Sequence, residues 1–321
     1  MNERNNLLDR SEIKGTGLSG NAIGAIFMIA SGVGFTLYTL LAKQLSADVH
    51  PVFLAFWRAF IALFFSVPLI LRQGLATMKT SRPWTVFVRS LFGTLGFTLA
   101  LLAVSDMFGL TLSQFNAISF TRSLFVTVLA ALVLREMVGP RRWGAVAVGF
   151  VGVLIMVVPG MFLFWRPSTG SGFSLDAGSL VALGSAFSLA FAIVLVKSLS
   201  AELSAVALLT YANLLSSILL LPFAIMFWST PSLEVWGWII LMAFTGFVSQ
   251  YCYISGMTVG DASFLSPLDY LRLPMATVAD LIVFAILPGI NVWVGAAIIV
   301  VSAVYITWRE RKTVAARPIA A

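Results

Sequence analysis

Cysteine and histidine are nearly absent from this sequence: Cys252 and His50 are the sole representatives. A single cysteine closes no intramolecular disulfide, and no cysteine–histidine cluster has the spacing of a zinc site. Charge is scarce too. Only 10% of the 321 residues are charged, against about a quarter in a soluble domain. P-loops, HExxH helices and GxSxG elbows are missing. These gaps exclude ATP-driven pumping, zinc hydrolysis and serine-hydrolase chemistry. No cofactor and no metal is implied, and any uphill movement of a solute must draw on an ion or solute gradient.

Apolar residues fill the space instead. They make up 60% of the chain, and the mean hydropathy is +0.99. Runs of about 20 apolar residues are long enough to cross a bilayer. Ten are expected, at approximately 21–45, 52–71, 84–104, 110–134, 143–160, 177–199, 203–228, 235–257, 262–286 and 291–308. The first run is too long for a signal-peptide core and lacks a small-residue cleavage site. The fold class expected is therefore an all-α integral membrane protein with ten transmembrane helices. Short turn-forming breaks separate the runs, among them Val138-Gly139-Pro140 and Pro288-Gly289-Ile290-Asn291.

The basic residues fix the orientation. With a cytoplasmic N-terminus, Arg72, Lys79, Arg82, Arg135, Arg141, Arg142, Arg309, Arg311 and Lys312 all fall inside, and Arg166 stands almost alone outside. Both termini are expected in the cytoplasm, with the chain multi-pass in the inner membrane. The formal charge of +7 then reflects topology and a lipid bilayer partner, not nucleic acid.

The chain also repeats itself. Leu41-Ala42-Lys43-Gln44-Leu45-Ser46-Ala47 closes the first run and Leu195-Val196-Lys197-Ser198-Leu199-Ser200-Ala201 closes the sixth; five of the seven positions are identical. Arg122 and Arg272 correspond as well, each two residues after an aromatic, Phe120 or Tyr270. Five is odd, so a second five-helix copy enters from the opposite side and the two are inverted repeats, a plan used by secondary transporters. The expected organisation is a cytoplasmic tail at 1–20, a first repeat at 21–160, an external linker at 161–176, a second repeat at 177–308 and a cytoplasmic tail at 309–321.

Ionisable residues in the spans are the candidate chemistry. Arginine at a helix centre costs roughly 2.5–3.5 kcal/mol even on an insertion scale, so such groups face protein or water. In the ninth run, at about 100° per residue, Asp269, Arg272, Ala276 and Asp280 share a stripe. This is either a substrate-binding wall or a structural pair between Asp269 and Arg272. Pro274 in the same run is expected to kink the helix and free the Tyr270 carbonyl, either as a gating hinge or as a plain packing kink. In the fourth run Gln114, Ser119 and Arg122 share a broad face, and Arg122 has no acid in its own helix. Asp269 is its candidate partner. Tyr251 and Tyr270 add aromatic walls with polar tips. Arg58, Arg89 and Lys43 lie within snorkelling reach of the surfaces. Asp269 and Asp280 are the candidate carboxylates for proton coupling.

One stretch resembles a known family. Leu124-Phe125-Val126-Thr127-Val128-Leu129-Ala130-Ala131-Leu132-Val133-Leu134-Arg135-Glu136, then Trp143-Gly144 and Gly149-Phe150-Val151-Gly152-Val153, is similar to the signature of the drug/metabolite transporter superfamily, EamA branch. That family usually reads Leu-Gly-Glu where this chain has Leu134-Arg135-Glu136, and Ile286 stands where the second copy would carry the Glu. The resemblance implies a ten-helix, inverted-repeat carrier of small organic solutes such as amino acids, nucleoside-like compounds or vitamins.

The expected function is secondary active transport of a small organic metabolite bearing a carboxylate or other anionic group, by alternating access, from a protein that is a monomer or a homodimer and not an enzyme. The alternative is a membrane-embedded enzyme or lipid-handling protein using the same charged wall. Substrate-binding candidates are Arg122, Asp269, Arg272, Gln114, Ser119, Tyr270 and Tyr251; coupling and gating candidates are Asp280 and Pro274.

Overall fold

The computed structural model describes residues 20–133, 140–157, 177–199, 202–259 and 266–315, and these form helices and the turns between them. Residues 1–19, the 161–176 linker, Glu136 and residues 316–321 lie outside the described residues; the expected tail at 309–321 is helical as far as Ala315. In chain order the helices are α1 (Gly20–Leu45), α2 (Pro51–Gln73), α3 (Pro83–Val104), α4 (Leu112–Ser119), α5 (Thr121–Val133), α6 (Pro140–Val157), α7 (Ala177–Leu199), α8 (Ala205–Met226), α9 (Leu233–Val259), α10 (Arg272–Phe284) and α11 (Ile290–Ala315). Short 3₁₀ turns cover Leu75–Met78 and Ser266–Leu271.

Among the described residues, seven helices are long and apolar enough to cross a membrane, the α4–α5 pair (Leu112–Val133) acting as one. Shorter apolar helices run over Val146–Ile155 and Val292–Ser302. Their outer faces are apolar: Ile26, Phe64, Leu95, Ile218, Ile240, Ile282 and Val301 are all exposed. Water would penalise so continuous an apolar surface, and hydrocarbon does not.

The helices pair across the two halves of the chain in a reciprocal pattern. The first helix of each half packs on the third of the other: α1 on α9, and α7 on α3. The second packs on the second (α2 on α8) and the fifth on the fifth (α6 on α11). The equivalent helices α2 and α8 run antiparallel. At one end His50 stacks on Phe227 at 3.9 Å, and Phe53 meets Trp228 edge-on at 5.4 Å. At the other end the Ser204 hydroxyl donates to the Gln73 side chain, and Ile70 packs among Leu203, Val206 and Ala207. Exchanging the halves therefore maps the contacts onto themselves, as a two-fold relation requires.

Close approach depends on glycine at two of these crossings. A Cβ on Gly96 of α3 would lie 2.7 Å from Leu189 of α7, and one on Gly152 of α6 would lie 2.8 Å from the Gly295 carbonyl of α11. Small residues at helix contacts let backbones meet where no solvent drives them together.

The fourth position of each half is a broken helix. In the first half the break falls at Phe120, between α4 and α5. In the second, the 3₁₀ turn Ser266–Leu271 gives way to α10 at Arg272. This corrects the expected continuous ninth run. It also moves Pro274: the residue is third in α10, in the first turn, where a backbone N–H has no helical partner to lose. Pro274 is exposed on the outer face and is a helix starter, not a mid-helix kink.

Candidate functional site

The 3₁₀ turn sets the geometry of the central charges. Residues i and i+3 eclipse at three residues per turn, so Asp269 sits directly under Arg272. Arg272 Nε lies 2.9 Å from Asp269 Oδ1, an ionic contact whose N–H is not aligned as a hydrogen bond. Arg122, second residue of α5, brings Nη2 to 3.6 Å from Asp269 Oδ2. One carboxylate of the C-terminal half thus serves an arginine from each half. Arg272 is further held by a donation from Nη2 to the Ser31 hydroxyl at 3.2 Å. Its guanidinium lies over the Phe35 ring at 4.5 Å and the Tyr253 ring at 5.6 Å. The α1–α9 contact beside it is closed by Ser249 Oγ donating to the Ser31 carbonyl.

These groups border a cavity of about 340 Å³ between the two halves, within the range of small-molecule sites. Arg122 and Arg272 line it, and so do Arg58 of α2 and Arg89 of α3. No aspartate or glutamate lines it among the described residues. Aromatic walls come from Phe35, Tyr38, Phe97, Phe115, Phe120 and Tyr253. Ser119 and Asn116 contribute polar tips from α4.

Three expected site residues fall elsewhere. Gln114 folds back into a capping box on α4: its Oε1 accepts from the Thr111 N–H at 3.1 Å, and the Thr111 hydroxyl accepts from the Gln114 N–H. Tyr251 stacks on Phe247 and is absent from the lining, which Tyr253 enters two residues later. The Tyr270 side chain lies outside the described residues. Asp280 is fully buried at the start of α4, where its carboxylate accepts from the Leu112 N–H at 3.0 Å, the Ser113 N–H at 2.7 Å and the Ser113 hydroxyl at 2.6 Å. A carboxylate there satisfies otherwise orphaned donors and meets the positive end of the helix.

Three basic residues with expected routes to the surface stay inside. Lys43 is 7% exposed and donates Nζ to the Leu110 carbonyl at 2.8 Å. Arg58 is 6% exposed, its guanidinium 4.3 Å from the Phe97 ring. Arg89 donates Nη1 to the Leu208 carbonyl at 3.3 Å. The sequence signal available for the two arginines was their place five to seven residues into a span, which is equally compatible with snorkelling.

Several curated proteins similar to this chain are transporters. A riboflavin transporter of Vibrio cholerae is 30% identical over 302 residues, covering 92% of this chain and 97% of its own. A riboflavin transporter of Rhizobium johnstonii is 29% identical over 296 residues, 90% and 92% of the two chains. An S-adenosylmethionine uptake transporter of Rickettsia prowazekii is 25% identical over 297 residues, 92% and 95%. A solved crystal structure superposes with a TM-score of 0.59 at 18% identity, over 88% of this chain and 98% of that one, a likeness of fold. The profile of the EamA-like transporter family matches twice, at residues 22–158 and 176–308. The chain, built from two copies of that unit, belongs to the EamA-like transporter family.

Proposed function

We propose that the protein is a secondary carrier for a planar, vitamin- or nucleoside-like metabolite that carries a carboxylate or other anionic group. The observation behind this reading is the charge of the cavity wall: four arginines from both halves, aromatic rings between them, and no lining acid among the described residues. With Asp269 counted behind Arg122 and Arg272, three positive charges remain uncompensated. Such a wall attracts anions and repels cations in a low-dielectric setting. S-adenosylmethionine carries a sulfonium and an ammonium against one carboxylate and is disfavoured. A flavin-like ring suits the aromatic walls.

In this reading all ten helical positions cross the inner membrane, the halves are inverted repeats, and both termini face the cytoplasm. The antiparallel pairing of α2 with α8 supports the inversion. The substrate ring seats near Arg122, Asp269, Arg272 and Ser119, and the halves rock about it to give alternating access. Asp269 is the carboxylate placed to couple proton movement, through its two arginines. The working unit is a monomer or a homodimer.

The test is flux in proteoliposomes. Riboflavin 5′-phosphate, which carries the anionic group, should cross chemically unchanged and faster than neutral riboflavin, with and without a pH gradient, and S-adenosylmethionine should not cross. Transport of S-adenosylmethionine with neither flavin moving would overturn the charge argument.

A further inference from the structure

The cavity has two ends that differ in one respect. At the α5–α10 end the arginines share a carboxylate. At the α2–α3 end Arg58 and Arg89 have no carboxylate within ion-pair distance among the described residues. Besides Arg272, four residues that line the cavity each carry a buried side-chain polar atom with no hydrogen-bond partner among the described residues: Arg58 Nε, Arg89 Nε, Asn213 Nδ2 and Tyr38 Oη. Three are obligate donors and the fourth, a phenol, donates readily. Tyr38 and Asn213 are each 3% exposed and Arg58 is 6% exposed, while Arg89 is half-buried.

Orphaned buried donors are rare, because each forfeits the free energy of its lost water contacts. Four around one space, two on full positive charges, describe the complement of an acceptor-only group. The surroundings hold the set in place. Phe97 backs the Arg58 guanidinium, the Leu208 carbonyl takes one Arg89 N–H, and a 2.6 Å bond between the Thr94 and Ser216 hydroxyls ties α3 to α8 beside it. Arginine suits such a role because its planar fork matches the oxygens of carboxylate and phosphate.

We infer that Arg58, Arg89, Asn213 and Tyr38 form an oxyanion subsite that receives the phosphate or carboxylate of the substrate, distinct from the Arg122–Asp269–Arg272 cluster. This rests on the carrier reading above and refines it. The ring lies toward Phe35 and Tyr253, and the charged tail reaches α2 and α3. The partly compensated cluster contributes shape and coupling, and the uncompensated pair contributes selectivity for the anion.

The experiment uses the purified full chain in detergent. One arm titrates inorganic phosphate against chloride at matched ionic strength and follows the unfolding temperature. Phosphate should stabilise the wild type, and its half-saturating concentration should rise at least tenfold in Arg58→Gln and in Arg89→Gln. In Arg72→Gln, which removes an exposed arginine outside the cavity lining, it should stay within about twofold. Gel filtration and the unfolding temperature without phosphate identify any variant that fails to fold, and Arg58→Lys, which keeps the charge but loses the fork, should lie between wild type and Arg58→Gln. The second arm compares binding of riboflavin and riboflavin 5′-phosphate by flavin fluorescence. The wild type should prefer the phosphate ester, and Arg58→Gln should lose that preference while still binding riboflavin. No phosphate-specific stabilisation of the wild type, or an unchanged midpoint in folded Arg58→Gln and Arg89→Gln, overturns the subsite. Flavin transport that persists alongside such a result would leave the carrier reading standing. Phosphate protection without any flavin binding would uphold the subsite and remove the ring assignment.

Discussion

Arg122 of the N-terminal half faces Asp269 of the C-terminal half across 3.6 Å, and the same carboxylate lies 2.9 Å from Arg272. A single acid therefore ties the two halves together at the cavity edge. Movement of one half against the other must stretch or exchange the longer contact, whereas the shorter one travels within a single element. Of these two contacts, the one across the halves is the one that rocking of the halves would change.

Neutralising this acid should separate stability from transport. Asp269→Asn leaves two arginines facing each other in a poorly solvated site, at a cost of about 3 kcal/mol. Flux should fall at least tenfold. Arg122→Ala and Arg272→Ala should abolish flux while leaving folded, membrane-inserted protein. A double-mutant cycle read by unfolding should give a larger coupling for Arg272–Asp269 than for Arg122–Asp269. Flux that survives both arginine substitutions would remove the cluster from the mechanism.

Two glycines three residues apart on α3 make opposite forecasts. A Cβ on Gly93 meets nothing within 4 Å, and the residue lines the cavity. Gly93→Trp should fold normally and block flux by filling the space. A Cβ on Gly96 would sit 2.7 Å from Leu189. Gly96→Val should destabilise by about 1–3 kcal/mol through overpacking. Unfolding curves and flux measured on the two variants together decide whether the cavity is the path.

Asp280 shows how far the sequence could be read. The spacing of charges in two separate apolar runs was enough to place Arg122, Asp269 and Arg272 together, because an arginine in hydrocarbon has few other options. The stripe that added Asp280 assumed one α-helix from Asp269 onward. The 3₁₀ turn spends those first three residues at about 120° each, so Asp269 eclipses Arg272 and Asp280 turns away by about 80°. Gln114 was misread for a related reason: a residue three positions into a helix can serve the cap instead of the face. Arg58 and Arg89 were ambiguous, since depth in a span does not say which way a long side chain leans. A cap carrying three bonds makes its own forecast. Asp280→Ala leaves two backbone N–H groups unpaired in a buried site, each costing about 1–3 kcal/mol, and leaves the Ser113 hydroxyl only its contact with the Thr111 hydroxyl. The variant should express poorly or unfold early, and any folded fraction should keep the wild-type pH dependence of flux. A shifted pH profile at normal stability would restore Asp280 as a coupling group.

Glu202 supplies a pH-sensitive contact at the end of the bundle away from Trp228. Its carboxylate accepts from the Ser81 hydroxyl at 2.8 Å, the Ser81 N–H at 3.1 Å and the Thr80 hydroxyl at 3.0 Å, with Arg82 Nε at 3.6 Å. These bonds, Ser81's above all, hold its pKa below the ordinary glutamate value. The sign follows from linkage: a depressed carboxylate contributes stability above its unfolded-state pKa and loses it as pH falls through the lower, folded value. The clasp joins the loop before α3 to the loop before α8, so it links the halves. Hydrogen–deuterium exchange of residues 75–82, corrected for intrinsic rate, should show protection at neutral pH that fades in acid below the glutamate range. Glu202→Gln should lack that protection at neutral pH and show no acid step. Identical exchange in variant and wild type across this range would mean that the contact holds nothing closed.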